Sequence, residues 1–400
     1  MLITADRVLT GSGTYLKDGA VLVDGDLVTA VGPRAQLAGH AGTQGAHLSF
    51  PGATVMPGLI DAHVHLVFDG GTEPLASFKD SDDEKLLREM RQRAEQLLSS
   101  GVTTVRDLGD RDGLVLRLRE EIGRDAAAGP RIVSAGTPLT IPGGHCHFLG
   151  GEVRGEAAVR DLVRANVAAG AEVIKVMASG GGLTKDGPKS WQSQFSANEL
   201  KALVEEARLA GVPVAAHAHS ADGIAAVVAA GVDTIEHCTW MTEDGFGLRQ
   251  DVLMEIVDRG IAVCPAVSPH WQKVARYFGD ERTRILFGQV RQMAEAGVRL
   301  IAGTDAGVQR TGFNGSLAGA LGFYAHVGVP TERIIDMATA HAADAVGLGG
   351  SAGRIAPGYR ADLLVVGGDP LADLGALKDI RAVIAAGHLH DPGSPAEQKR

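Results

Sequence analysis

The chain of 400 residues is 45% hydrophobic and 22% charged, a globular balance with enough length for a large core. Its net charge of −10 and the lack of any long basic run argue against a nucleic-acid partner. No window reaches the roughly 18 consecutive apolar residues of a membrane span, so no membrane partner is expected. The opening "MLITADRVLTGSG" lacks the pattern of a secretory leader, and Cys146, Cys238 and Cys264 are few, odd and scattered; a reduced, cytoplasmic setting is expected.

Residues 1–57 are β-rich and interrupted by Gly, Asp and Pro, as in "LITADRVLT", "AVLVDGDLVTAVG" and "ATVMPG". Then an alternation begins. "TVMPGLIDAH" is the first strand candidate of a parallel series. "EKLLREMRQRAEQLLSSG" follows, with Leu86, Leu87, Met90, Ala94, Leu97 and Leu98 in one helical stripe and Gly101 as its breaker. "VTTVRDLG", "RIVSAG" and "EVIKVM" are the next strands. "SANELKALVEEARLAG" opens on a capping box, Ser196 with Glu199, and stops at Gly211. "VPVAAH", "VDTIEH", "IAVCPA" and "VRLIAGTD" bring the strand candidates to eight. The β flavour then returns in "ADLLVVGGDP" and "IRAVIAAGHLH", before a tail, "DPGSPAEQKR", expected to fray.

Apolar strands alternating with helices predict a parallel sheet covered on its faces. The fold class is therefore α/β: a (β/α)₈ TIM barrel over 58–348. It is inserted into a small β-sandwich domain built from 1–57 and 349–400. An open doubly wound sheet is the alternative.

Six polar residues sit at the C-terminal ends of these strands, where a barrel builds its active site. They are His63 and His65 in "LIDAHVHL", Lys175, His217, His237 and Asp305. His63 and His65 are two apart and share one side of a strand, so they can grip one ion; such a pair also occurs as plain core or surface histidines. Lys175 lies in "VIKVM", where a lysine needs a partner, a route to solvent or a chemical modification. A neutral lysine amine can add carbon dioxide, and the resulting carbamate has two oxygens to bridge two cations. Asp305 follows Gly303 and Thr304, a suitable place for a general base. Each residue alone has a bland structural reading. Cys238, next to His237, is read as a small buried thiol.

The ordered set "HVH", strand lysine, two strand-end histidines and "GTDAG" resembles the amidohydrolase superfamily. So do the flanks "MPGLIDAHVH", "GVTTVRDLG", "GGHCHFLGGE" and "GRIAPGYRADLLVV". The likeness covers nearly the whole chain and is nearest the branch of metal-dependent Xaa-Pro dipeptidases, carboxypeptidase-like enzymes and an ochratoxin-cleaving amidase. It implies two divalent ions, with zinc the expected metal. His63, His65 and Asp305 would hold the more buried ion, His217 and His237 the more exposed one, and carbamylated Lys175 would bridge them. It further implies amide hydrolysis of a dipeptide or N-acyl amino acid by metal-activated hydroxide, with Asp305 as the catalytic proton shuttle.

The loop "TIPGGHCHFLGGE" should overhang the pocket. His145 is its preferred substrate contact, ahead of His147, and His219 is a second. A tyrosine often stands in the place of His219 in dipeptidase-like relatives, so this chain departs from the prolidase pattern there. Arg106 and Asp107 are read as a structural ion pair, and Trp191, Trp240 and Trp271 as residues that could wall an apolar pocket. "MASGGGLTKDG" lacks the phosphate-loop pattern. The competing readings are lactone or cyclic-imide hydrolysis or deamination on the same site, and a non-catalytic scaffold. The expected partner is a small-molecule substrate, and a homo-oligomer is compatible with the sequence.

Overall fold

The computed structural model describes residues 1–11, 13, 15–37, 39 and 45–390; the tail expected to fray, 391–400, lies outside the described residues. Four strands open the chain: β1 (Leu2–Leu9), β2 (Tyr15–Asp24), β3 (Leu27–Pro33) and β4 (His47–Pro57). The barrel strands follow: β5 (Leu59–Val64), β6 (Val102–Asp107), β7 (Arg131–Ser134), β8 (Ile174–Met177), β9 (Val214–Ser220) and β10 (Thr234–Thr242). A short β11 (Gly245–Phe246) folds back on β10, and β12 (Ala262–Cys264) and β13 (Arg299–Leu300) complete the series. The chain ends in β14 (Leu363–Gly367), β15 (Ile380–Ala385) and β16 (His388–His390).

β5, β6 and β7 form one parallel run; β8, β9, β10, β12 and β13 form another. Two seams close them into a barrel. At one, Leu139 pairs with Val176, donating to the Lys175 carbonyl at 2.8 Å and accepting from Met177 at 2.8 Å. At the other, Ala62 donates to Ala302 at 3.0 Å, Asp305 to His63 at 2.8 Å and His65 to Ala306 at 2.8 Å. The eight staves are those expected from the sequence, and the open-sheet alternative falls.

Helices cover the staves. Asp83–Ser99 buries Leu86, Leu87, Met90, Ala94, Leu97 and Leu98, each large side chain contributing about 1.5–3 kcal/mol. Ala197–Leu209 has the predicted capping box, with Ser196 and Glu199 exchanging hydrogen bonds. The chain's two ends share a seven-stranded sheet, order β16-β15-β14-β4-β1-β2-β3, antiparallel except where β1 runs parallel to β4. It curls over one apolar core: Leu363, Val365, Ala382 and Ile384 face Ile3, Val8, Val21 and Val55. Their neighbours Leu364, Val366, Val383 and Ala385 belong instead to the barrel's helix layer, as strand alternation requires. Among the described residues, no helix is long and apolar enough to cross a membrane.

Candidate metal centre

All six candidate ligands line one cavity of about 280 Å³ at the C-terminal mouth of the barrel, together with His145 and His219. Asp305 Oδ1 lies 3.3 Å from His63 Nε2 and 3.5 Å from His65 Nε2. Ligand atoms of His63, His237 and Asp305 fall within 4.8 Å of one another, as do those of His217, His219 and His237. His237 belongs to both groups. The cluster thus has two adjoining halves joined at β10.

Hydrogen bonds fix which ring nitrogen faces inward. A carbonyl only accepts, so His65 Nδ1, 3.2 Å from the Gly109 oxygen, carries its proton and leaves Nε2 with a lone pair. His217 is turned the other way: Nε2 meets the Gly180 oxygen at 3.1 Å and Nδ1 is free to ligate. His63 Nδ1 is 2.9 Å from Glu236 Oε2, which turns Nε2 toward Asp305. His219 Nδ1 meets Thr239 Oγ1 at 2.8 Å. Such partners set tautomer and orientation in metal sites.

Beneath the cluster lies a buried polar floor. Arg106 donates to Glu236 Oε1 at 2.7 Å, to Thr234 Oγ1 at 2.9 Å and to the Ala62 carbonyl at 2.7 Å. This corrects the expected Arg106–Asp107 pair. Asp107 accepts instead from the backbone amides of Leu66 and Gly109, at 2.7 and 3.1 Å, and so ties together the loops after β5 and β6. Adjacent residues on a strand point to opposite sides, so a neighbouring Arg and Asp rarely meet. Asp61 accepts from Thr304 Oγ1 at 2.6 Å and its amide at 3.0 Å, fixing the segment that carries Asp305 beside β5. Gly303 permits that approach: a Cβ there would lie 2.5 Å from Cys264 Sγ and 2.9 Å from His63 Cβ.

The electrostatics fit cation binding. Burial pushes His65 down to about 4, His145 to about 3 and His219 to about 4; it pushes His217 and His237 well below the ordinary value, aided by the other histidines. These imidazoles are neutral at pH 7, as ligands must be. Burial opposes ionisation of Asp305, but His63 and His65 outweigh it and hold the carboxyl below the usual range. Burial and Lys175 push His63 down, yet Asp305 and Glu236 prevail and its net shift is upward. Lys175 is 1% exposed, its Nζ has no hydrogen-bond partner, and burial lowers it to about 8. A buried amine without a partner, in a wall shared with neutral imidazoles and a carboxylate, fits a group that is modified and bridges cations.

The amidohydrolase family profile matches residues 54–389, most of the chain and all the residues above. The chain belongs to the amidohydrolase family. Among relatives, ochratoxinase of Aspergillus niger is 28% identical over 424 aligned positions, which cover 96% of this chain and 84% of that protein. A crystal structure of a Xaa-Pro dipeptidase with bound methionine is 27% identical and covers 98% of this chain and 99% of its own, with a TM-score of 0.84. The structure of the A. niger ochratoxinase is 25% identical, covers 97% and 94%, and has a TM-score of 0.83. The barrel with its appended β-domain is thus the architecture of this amidohydrolase and of its relatives.

Some of this site was not visible in the sequence. Glu236 lies inside "TIEH", where an acidic residue within an apolar strand is the one local signal of a buried polar partner. By alternation His237 should point away from Glu236's side of the strand. It joins the cluster because φ is 68° at His237 and 51° at Cys238, with a register shift against β9 there. Of the loop histidines, His145 lines this cavity, and its Nδ1 has no partner; His147 lines an outer cavity of about 500 Å³. Trp240 is fully buried, Trp191 is exposed, and Trp271 alone of the three walls an apolar cavity. Cys238 is a buried free thiol, as expected, pushed far above its ordinary pKa by burial.

Proposed function

We propose that this amidohydrolase cleaves the amide bond of a dipeptide or N-acyl amino acid on a two-metal site. The protein is a hydrolase acting on carbon–nitrogen bonds. The finer reading is carried by Lys175: a buried amine with no partner, in one cavity with six imidazoles and Asp305. Lys175 as a carbamate, formed from its neutral amine and carbon dioxide with loss of one proton, would join the two halves. His63, His65 and Asp305 would hold one ion; His217 and His237 would hold the other. Zinc suits an imidazole and carboxylate set. Two such ions, when bound, lower the pKa of water toward ~7 and polarise a carbonyl.

The chain's own groups do the rest. Asp305 takes the proton released at the attacking water and returns it to the leaving nitrogen, a role supported by its place at the cavity mouth, 3.3 Å from His63. Glu236 and Arg106 keep His63 from rotating. His145, whose Nδ1 has no protein partner, and His219 offer hydrogen bonds to the substrate's carbonyl or carboxylate. The test is a product screen of zinc-loaded enzyme on N-acyl amino acids, dipeptides, lactones, cyclic imides and aminated rings. Release of a free amino acid is expected. Ammonia from ring substrates, with no amide cleaved, would replace the reading by deamination.

A further inference from the structure

A second cavity, about 220 Å³, opens beside the metal centre and shares His237 as a wall. Thr239 also lines it, and Thr239 Oγ1 is 2.8 Å from His219 Nδ1. His237 thus lines both cavities, and Thr239 links the side cavity to His219 in the metal-site cavity. Its opposite wall is aromatic. Trp271 meets Phe323 and Phe287 edge-on at 5.9 and 6.3 Å, and Phe287 meets Phe323 at 4.8 Å. Val267 and Val290 add aliphatic surface, and none of the lining residues is charged.

Of the polar residues in this lining, Thr239 and Ser268 have hydrogen-bond partners and Gln289 leaves an atom without one. Gln289 is 3% exposed, and its Oε1 has no hydrogen-bond partner. A buried amide oxygen without a partner is destabilising, and such groups call for an explanation. A ligand with a donor at that depth supplies one. The volume agrees: about 150 Å³ is enough for a benzene ring, so this cavity accommodates a ring with a polar substituent. Edge and face contacts from Trp271, Phe287 and Phe323 favour a ring over an alkyl chain.

We propose that this cavity is a specificity subsite for an aromatic substituent bearing a hydrogen-bond donor, a phenol or indole, whose donor meets Gln289. The proposal rests on the amidase reading for its consequence in turnover, and on the cavity alone for binding. It makes the preferred substrates amides of aromatic amino or acyl groups, with the scissile bond at the metals and the ring beyond His237.

Two experiments separate subsite from reaction. In the first, metal-free protein is titrated with 4-methylphenol, toluene and 4-methylanisole, followed by ligand-observed NMR. The phenol should bind about 3- to 10-fold more tightly than the other two, the worth of one neutral hydrogen bond. Gln289→Leu should erase that difference, and Val267→Phe, which fills the cavity, should weaken all three. In the second, zinc-loaded enzyme is given N-acetyl derivatives of tyrosine, tryptophan and alanine. The kcat/KM ratio of tyrosine to alanine should be about 10- to 100-fold, and should fall toward one in Val267→Phe and several-fold in Gln289→Leu. Probes that do not bind, or bind equally to wild type and both variants, overturn the subsite even if amides are cleaved. Probes that bind as stated, with no amide turned over, retain the subsite and overturn the amidase reading.

Discussion

Replacing Glu236 with Gln keeps its shape and removes its charge. In the native chain Glu236 is 0% exposed, accepts from Arg106 at 2.7 Å and from Thr234 at 2.7 Å, and meets His63 Nδ1 at 2.9 Å. Burial opposes its ionisation, but the Arg106 guanidinium and then His63 outweigh that and hold the carboxyl below the usual range. Removing one partner of a buried pair typically costs about 3–5 kcal/mol, because the other charge stays buried and unpaired. Arg106 is 1% exposed and keeps only the Ala62 carbonyl and the Thr234 hydroxyl as full acceptors. The upper half of that range therefore applies. The second effect is on His63, which loses the anion that fixes its tautomer; lost partners of this kind lower metal affinity about 10- to 100-fold. Urea unfolding of metal-free Glu236→Gln measures the first effect, and competition with a zinc chelator the second. The double variant Arg106→Met, Glu236→Gln should recover much of the stability but not the affinity. Stability within ~0.5 kcal/mol of wild type, with unchanged zinc affinity, would show that the floor neither supports the fold nor orients His63.

Asp305→Asn should lower kcat about 100-fold or more, since it removes the proposed base; steady-state kinetics at matched metal content checks it. His145→Ala and His219→Ala should raise KM or change the preferred substrate with metal content intact, as read by kinetics alongside elemental analysis; loss of metal from His219→Ala, with none from His217→Ala, would exchange their roles. Asp110 sets a pH dependence of stability. Burial, then Asp107, raises its carboxyl to about 8, so the folded state holds a proton that the unfolded chain has released above about 4. Stability therefore falls as pH rises from about 4 through 8, and Asp110→Asn should flatten that decline in denaturant midpoints measured from pH 5 to 9; parallel curves would remove Asp110 from the account.

The barrel was legible because its signals are local and repeated. Each stave is a short apolar run, each helix has its stripe, and Ser196 with Glu199 marks a start that the structure keeps. The cavity was legible because strand ends converge in such a fold, so residues distant in sequence were expected together. Pairwise contacts across the barrel were not. Arg106 finds Glu236, 130 positions away, in preference to its neighbour Asp107. The side cavity was also hidden: Trp271 comes from a short turn after β12, Phe287 and Gln289 from the helix Asp280–Glu295, and Phe323 from the helix Ser316–His326 after β13, and no local pattern relates the three segments. His237 reached the cluster through a left-handed backbone that simple alternation does not foresee.

The proposed function turns on Lys175, which as a carbamate would join two ions. A crystal structure of zinc-loaded enzyme grown with bicarbonate, with anomalous data at the zinc edge, tests it most directly. Two anomalous peaks are expected, one beside His63, His65 and Asp305 and one beside His217 and His237, with continuous density beyond Lys175 Nζ reaching both. One peak, and an unmodified Lys175 turned away from it in an active enzyme, would contradict the bridge and leave a single-metal hydrolase.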